Sequence, residues 1–457
     1  MMNGEPAPLR VAFVAGLATG GSARHVAALA AGCRAAGLAV SVLAPAPTLA
    51  LLSTDPGIET GALNIGDRPR PASDMVTVAR LRSRLASWRP DVVHAHGVRA
   101  GALAGLAIAG LAMTGPVSGG LAGTDPAGTG LADTGPAGTD PAGTDPAGTD
   151  LGGSGLAGTD LADTGPAGTD LAGTGLTGTR LTGRGSRDPA ASRRTPPALV
   201  VTAHNAPPAG RQARLIFGVL ERICARRADL VLCASADLAA RMRDLGAAEV
   251  QQFDVPAPAA KEPSPADVAK ARDDLGADGR PVVLAVGRLT PQKGFDVLVE
   301  AAGGWRHRDP QPRTVIAGDG PLAAALRAQA SRTQADVLLL GSRQDVPALL
   351  EIADVVVAPS RWEARALILQ EAMRSGKPIV ATSVGGTPEL AGGDSALLIP
   401  PDDPAALSAA VIAVLDDPRL AARLRLAARA RGAAFPTETD ALKAAMSTYA
   451  RLGASRI

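Results

Sequence analysis

The stretch P-V-V-L-A-V-G-R-L-T-P-Q-K-G, residues 281–294, decides how the rest of the chain is read. Its first six residues form an apolar, valine-rich run. Valine suits the pleated sheet, and a run without polar alternation suits a strand buried on both faces of a parallel sheet. A glycine ends the run. A turn carrying Pro291 and Gly294 follows, and it presents Arg288 and Lys293 on either side of Pro291. Two cations on a strand-to-helix turn fit a diphosphate, because a guanidinium binds two oxygens and an ammonium is a compact charge. Two solvated surface charges would leave the same pattern.

The rhythm extends in both directions. Similar short runs recur at 314–317, 337–340, 355–358, 379–382 and 396–399. Toward the N-terminus they recur at 9–15, 39–44, 91–94, 198–203 and 230–234, with helix-period stretches at 22–36, 76–88 and 214–226. Strands alternating with helices imply doubly wound parallel sheets. The Pro-rich, charged stretch 256–265 breaks the series, so two α/β domains are expected. Ligands of open α/β sheets bind at the carboxyl ends of the strands, which places a cleft between the two domains.

Residues 121–185 interrupt the first domain with pentads such as LAGTD, PAGTG and LADTG. A four-sided β-helix needs a bulky apolar residue in each pentad. Proline removes ladder donors, and Ala, Gly and Thr bury little area. A Thr/Pro-rich stalk would require export. The composition favours a disordered insert without chemistry.

The composition narrows the function classes. Of 457 residues 46% are apolar and 2% aromatic, so aliphatic side chains must fill the cores. A formal charge of +2 gives no general attraction for nucleic acid. Cys33, Cys224 and Cys233 have no metal-ligand or disulfide spacing and read as small buried hydrophobes. No signal-like N-terminus and no uncharged run of about 20 apolar residues is visible, so a cytoplasmic protein is expected.

Other strand ends carry candidate groups. Gly20 and Gly21 follow the first run and permit a close backbone approach at a helix start. D-V-V-H-A-H-G, residues 91–97, presents His96 at a strand end, and T-A-H-N, residues 202–205, repeats that placement. A-G-D-G-P-L-A, residues 317–323, has the glycine spacing of a dinucleotide loop, but no acidic ribose partner follows the next strand. In R-W-E-A-R-A-L-I-L-Q-E, residues 361–371, Glu363 precedes a helix start and Glu371 lies one turn inside it. Free amides at that start suit an anion, Glu371 can reach a ribose diol, and Glu363 can accept from a second polyol. One capping and one solvated glutamate is the alternative.

As an ordered set, these motifs resemble the retaining GT-B glycosyltransferases of family 4, the glycogen-synthase-like and phosphatidylinositol-mannosyltransferase-like group. The set includes V-G-G-T-P-E-L at 384–390 and a final segment, 435–452, similar to the helix that crosses back onto the first domain. The resemblance implies two Rossmann-like domains facing a cleft: 1–112 with 198–256 for the acceptor, and 257–433 for the nucleotide sugar. Residues 113–197 would be the insert and 434–457 the returning helix. It implies His96, Arg288, Lys293 and Glu363 as the catalytic group, and Gly20, Gly21, Arg343, Ala366, Leu367 and Glu371 as donor-binding residues.

The implied reaction is hexose transfer with retention from a nucleoside-diphosphate sugar, without cofactor. The absence of a D-x-D string agrees with a metal-independent donor site. The acceptor (lipid, glycan or small molecule) stays open. The basic helices at 78–89 and 211–227 leave peripheral contact with an anionic membrane as an expectation. A non-catalytic nucleotide-sugar or glycan-binding relative and a nucleotide-sugar epimerase of the same fold are the alternatives. Two departures stand out. The usual E-G-F-G or E-S-F-G is E-A-R-A here, so Ala366 replaces a glycine and Arg365 an aromatic, with Arg365 expected at a phosphate or in solvent. The usual Asn-Gly before the linker is V-Q-Q-F-D-V-P, residues 250–256.

Overall fold

The computed structural model describes residues 7–16, 21–52, 55–66, 70–113, 195–204, 210–277 and 279–455. Gly20 and the pentad segment, with the expectation of disorder placed on it, lie outside the described residues.

The first sheet is built from β1 (Arg10–Ala15), β2 (Ala39–Ala44), β3 (Glu59–Ala62), β4 (Val92–His96), β5 (Ala198–Ala203), β6 (Leu230–Cys233) and β7 (Val250–Gln252), in the order β3-β2-β1-β4-β5-β6-β7. The second is built from β8 (Val282–Val286), β9 (Arg313–Ala317), β10 (Val337–Gly341), β11 (Val355–Ala358), β12 (Ile379–Thr382) and β13 (Leu397–Ile399), in the order β10-β9-β8-β11-β12-β13. Every pairing between these strands is parallel. Both sheets therefore reverse their winding at one place, between β1 and β4 in the first and between β8 and β11 in the second. Such switch points open a crevice at the carboxyl ends of the strands.

The inner strands match the runs read from sequence because both of their faces are covered by helices. In β8, Val282, Val283, Leu284 and Ala285 are all buried. The edge strands β3 and β7 were not expected. In E-T-G-A only Gly61 is buried, and V-Q-Q exposes both glutamines, so neither shows an apolar pattern. β4 runs two residues beyond the expected end at 94, which puts His96 inside the strand rather than after it.

The last helix, Glu438–Ala454, belongs to the first domain's core. A capping box between Thr437 and Asp440 starts it. Its Ala441, Ala445, Tyr449 and Leu452 join Val11, Phe13, Leu29 and Cys33 in one buried cluster. Tyr449, the chain's single tyrosine, is fully buried there. Chain ends far apart in sequence are thus joined by burial of one aromatic, worth roughly 3–5 kcal/mol if truncated to alanine. The three cysteines are buried and unpaired, as their contexts suggested. Burial pushes the Cys33 and Cys233 thiols up to about 12, so they stay protonated and inert at neutral pH.

Candidate active site at the two switch points

The second domain contributes charged loops. After β11, Ser360 Oγ donates to Glu363 Oε1 at 3.0 Å, and Lys293 Nζ pairs with the same oxygen. Lys293 closes a single 3-10 turn, Pro291–Lys293, that leaves the end of β8. The next residue must be glycine: Gly294 has φ 63, and a Cβ there would lie 2.0 Å from the Pro359 carbonyl oxygen. That close approach presses the lysine turn against the loop after β11. The backbone of the same loop is held from the other side by residues 385 and 386. The amide of Gly386 donates to Glu363 O at 2.8 Å, and a Cβ on Gly385 would lie 2.0 Å from that oxygen. Glu363 is buried, and Arg288 is exposed with no ion-pair partner among the described residues.

The helix Leu367–Arg374 starts where this loop ends. No side chain caps its N-terminus, and no acidic residue lies in its first turn. The first domain's helix Gly21–Ala35, which follows β1, likewise has no acidic residue in its first turn. The two helix starts touch: a Cβ on Gly21 would lie 2.3 Å from Leu367 Cδ1. Two positive dipole ends therefore converge across the crevice, a place for an anion. One turn further on, burial raises the Glu371 carboxyl above its ordinary range, opposed by the charges of Arg24 and Arg374. Arg24 lies on the Gly21–Ala35 helix, so Glu371 also senses the first domain.

The first domain contributes an uncharged wall. Four of the chain's five histidines, His25, His94, His96 and His204, gather at the carboxyl ends of β1, β4 and β5. His94 and His96 have ring centroids 4.2 Å apart, and His25 stands edge-on to His96 at 6.0 Å. His94 is satisfied, with Nδ1 2.5 Å from the Tyr449 hydroxyl and Nε2 2.7 Å from Thr202 Oγ1. The Nε2 atoms of His25 and His96 are buried without a partner among the described residues. Burial, then the charge of His204, lowers His25 to about 4. Burial, then His25, lowers His94 to about 3. Burial lowers His204 to about 4 against a raising backbone hydrogen bond with Thr202. His96 is held well below its ordinary value by burial first and then by His94, His25 and His204. At neutral pH the wall is a set of neutral imidazoles that can exchange hydrogen bonds with hydroxyls.

The structure thus assembles His96, Gly21, Leu367, Lys293 and Glu363 at the switch points, with Glu371 a turn deeper. Arg343 is placed differently from expectation. Its Nε donates to Asp345 Oδ1 at 2.7 Å, and its Nη2 reaches both Asp345 and Asp274, so these donors are engaged inside the domain. Ala366 is unstrained: its φ of −75 lies in a region open to alanine, so no glycine is needed there. Arg365 is neither at a phosphate position nor in solvent. Its side chain is 9% exposed and pairs with Asp254 at 2.7 Å. Sequence reading missed Ser360, Arg24 and His25, which are positioned by the packing of separate elements. The V-G-G-T segment was the one legible sign of the glycine cradle.

Residues 267–431 match the family model for glycosyl transferases group 1, and residues 19–118 match that for glycosyltransferase family 4. The chain is 34% identical over 161 residues to alpha-D-kanosaminyltransferase of Streptomyces kanamyceticus, covering 34% of this chain and 42% of that protein. It is 35% identical over 224 residues to D-inositol 3-phosphate glycosyltransferase of Nocardia farcinica, covering 46% and 49% of the two chains. The chain therefore spans less than two thirds of the length of these relatives. Among solved structures it is similar to Anabaena HepE in complex with UDP, at TM-score 0.66 and 18% identity over 97% of this chain and 100% of that one. It is also similar to sucrose-phosphate synthase from Thermosynechococcus elongatus, at TM-score 0.66 and 19% identity over 98% and 100%.

Proposed function

The chain belongs to the GT-B glycosyltransferases of family 4, and from that premise we propose that it transfers a hexose, with retention, from a nucleoside-diphosphate sugar to an acceptor bound by the first domain. The observation that carries this reading is the meeting of two helix starts without acidic residues in their first turns, at Gly21 and Leu367, beside the Lys293–Glu363 pair. Backbone amides and Lys293, with the exposed Arg288, suit a diphosphate and the charge that grows on it as the sugar leaves. Glu363, fixed by Ser360 and Lys293, suits the hydroxyls of the transferred sugar, and Glu371 those of the ribose. The neutral histidine wall accepts a polyol without competing for the anion. In this reading the bond from C1 to the leaving diphosphate oxygen breaks and the acceptor oxygen bonds to C1 on the same face. The acceptor proton passes to that leaving oxygen. No metal is required by this arrangement of donors.

The loop change E-A-R-A was the support for a non-catalytic relative. At φ −75 alanine carries no backbone cost, which weakens the part of that support that rests on Ala366. Turnover of UDP-, GDP- or ADP-hexose by the full chain, followed by nucleotide release in the presence of glycan and lipid acceptors, tests the function. Absence of binding and of hydrolysis for all three donors would reject it. Formation of a sugar isomer from donor alone would identify an epimerase instead.

The same reading places the enzyme in the cytoplasm, at the inner membrane face. The helix Arg211–Arg227 exposes Leu215 at 71%, Val219 at 59% and Ile216 at 46%, flanked by the exposed Arg222 and Arg226. Apolar residues among arginines match an anionic lipid surface. No helix among the described residues is long and apolar enough to cross a membrane. Sedimentation with vesicles containing anionic lipid should be lost when Arg80, Arg84, Arg222 and Arg226 are reversed in charge. No binding by the intact protein would remove this contact.

A further inference from the structure

The chain passes between the two sheets twice, after β7 at 253–264 and again at 434–437, between the helices Pro418–Ala433 and Glu438–Ala454. The helix Leu367–Arg374 is bonded to both crossings along one side. Gln370 Oε1 accepts from the Ala257 amide at 3.1 Å, and its Nε2 donates to Val255 O at 2.9 Å. Arg374 donates to Ala257 O at 2.6 Å and to Pro436 O at 3.3 Å. Arg365, between Glu363 and Leu367, completes this row. Its guanidinium pairs with Asp254 in the first crossing and lies 5.9 Å from the ring centre of Phe435, beside the second.

Arg365 differs from its two neighbours in the row. Gln370 and Arg374 hold backbone groups, whereas Arg365 holds a carboxylate whose side chain is 48% exposed. Its Nε is buried and has no partner among the described residues. A buried guanidinium with one donor unmet and a water-accessible partner holds its arrangement less firmly than a fully bonded one. The two sequence departures noted above, Arg365 and the segment 250–256, are therefore in contact with each other.

We propose that Arg365 is a positioning residue that ties the donor loop 360–367 to the interdomain crossings through Asp254 and Phe435. The setting of the two domains then fixes how Glu363 and the Leu367 amide are presented, and an anion bound at those amides biases the domains in return. The second half rests on the nucleotide reading above; the first does not.

The test uses the full chain with Asp254→Asn, Arg365→Met and the double variant. Amide exchange is followed by mass spectrometry at 361–367 and in β8 and β11, and UDP, GDP and ADP affinities are measured by calorimetry. Asp254→Asn should speed exchange across 361–367 by about fivefold or more, the low end of ordinary coupling between sites, and leave β8 and β11 unchanged. Each single variant should weaken the bound nucleotide, and the double should do so no further, as partners in one contact behave. Unchanged exchange at 361–367 in Asp254→Asn, or additive effects in the double variant, would overturn the proposal. Should Arg365→Met not fold, Asp254→Asn at its half-exposed position decides alone. Wild-type protein that binds none of the three nucleotides would sink the functional reading, while the exchange result still decides the coupling.

Discussion

The two switch points face one crevice with opposite physics. At β8 and β11 the chain places charge: Lys293 on Glu363, an exposed Arg288 and an uncapped helix start. At β1 and β4 it removes charge, with burial holding His25, His94 and His96 neutral. A diphosphate has to be met by fixed positive groups, because rearranging them during bond cleavage would add to the barrier. A polyol has to be met by donors and acceptors that do not compete for the anion. One fold, used twice, can serve both ends of a charged and uncharged substrate pair because only the loops after the strands differ.

The comparison can be broken most directly at Lys293. Lys293→Ala should lower kcat by roughly 10²- to 10³-fold, as removal of one preorganised donor does, in steady-state assays with the best UDP-, GDP- or ADP-sugar. A loss confined to KM would instead assign it to uniform donor binding.

The histidine side should show itself in stability against pH. Each of His25, His94 and His204 is held at about 3 to 4, against 6.5 when unfolded. The folded state then resists protons that the unfolded state takes up. Stability is full above pH 6.5, falls as pH drops below that value, and stops falling from this cause once the folded values are passed. Each histidine contributes about 1.4 kcal/mol per pH unit inside that window. Denaturant titrations at pH 7 and 5.5 should show the loss, and His25→Gln should reduce its slope. Glu371, raised by burial, has the opposite sign: it gains relative stability as pH falls through its folded value.

Smaller effects sharpen the same contrast. Tyr449→Phe leaves His94 Nδ1 buried without its partner and should cost about 1–3 kcal/mol in chemical denaturation. Gly21→Ala forces a Cβ against the movable end of Leu367 and should cost about 1 kcal/mol of nucleotide affinity by overpacking where the helix starts meet. Ala366→Gly should give no gain in activity, because the residue already has an ordinary backbone angle, and should cost about 1 kcal/mol of stability through its lost buried methyl.

Part of this contrast was legible before any coordinates. P-Q-K-G and the two glutamates at 363 and 371 lie within short motifs, whose spacing survives folding because each spans one turn or one loop. The histidine wall was legible at His96 and His204, each read at a strand end. His25 lies on a helix, His94 inside β4 and His204 just past β5, and no local pattern marks their convergence. Arg343 shows the reverse: its loop position was legible, but the pairing of its Nε and Nη2 with Asp345 and Asp274 was not.

The amino-acid sequence by itself determined the two doubly wound sheets, since a strand buried on both faces must be apolar throughout, and it determined the family through motifs of contiguous residues. The tertiary structure alone decided which polar groups keep their charge and which are already spent. Charge and hydrogen-bond satisfaction depend on burial and on partners supplied by distant segments. Arg365 carries that distinction in one side chain: a cation by sequence, and by packing a link between the donor loop, Asp254 and Phe435.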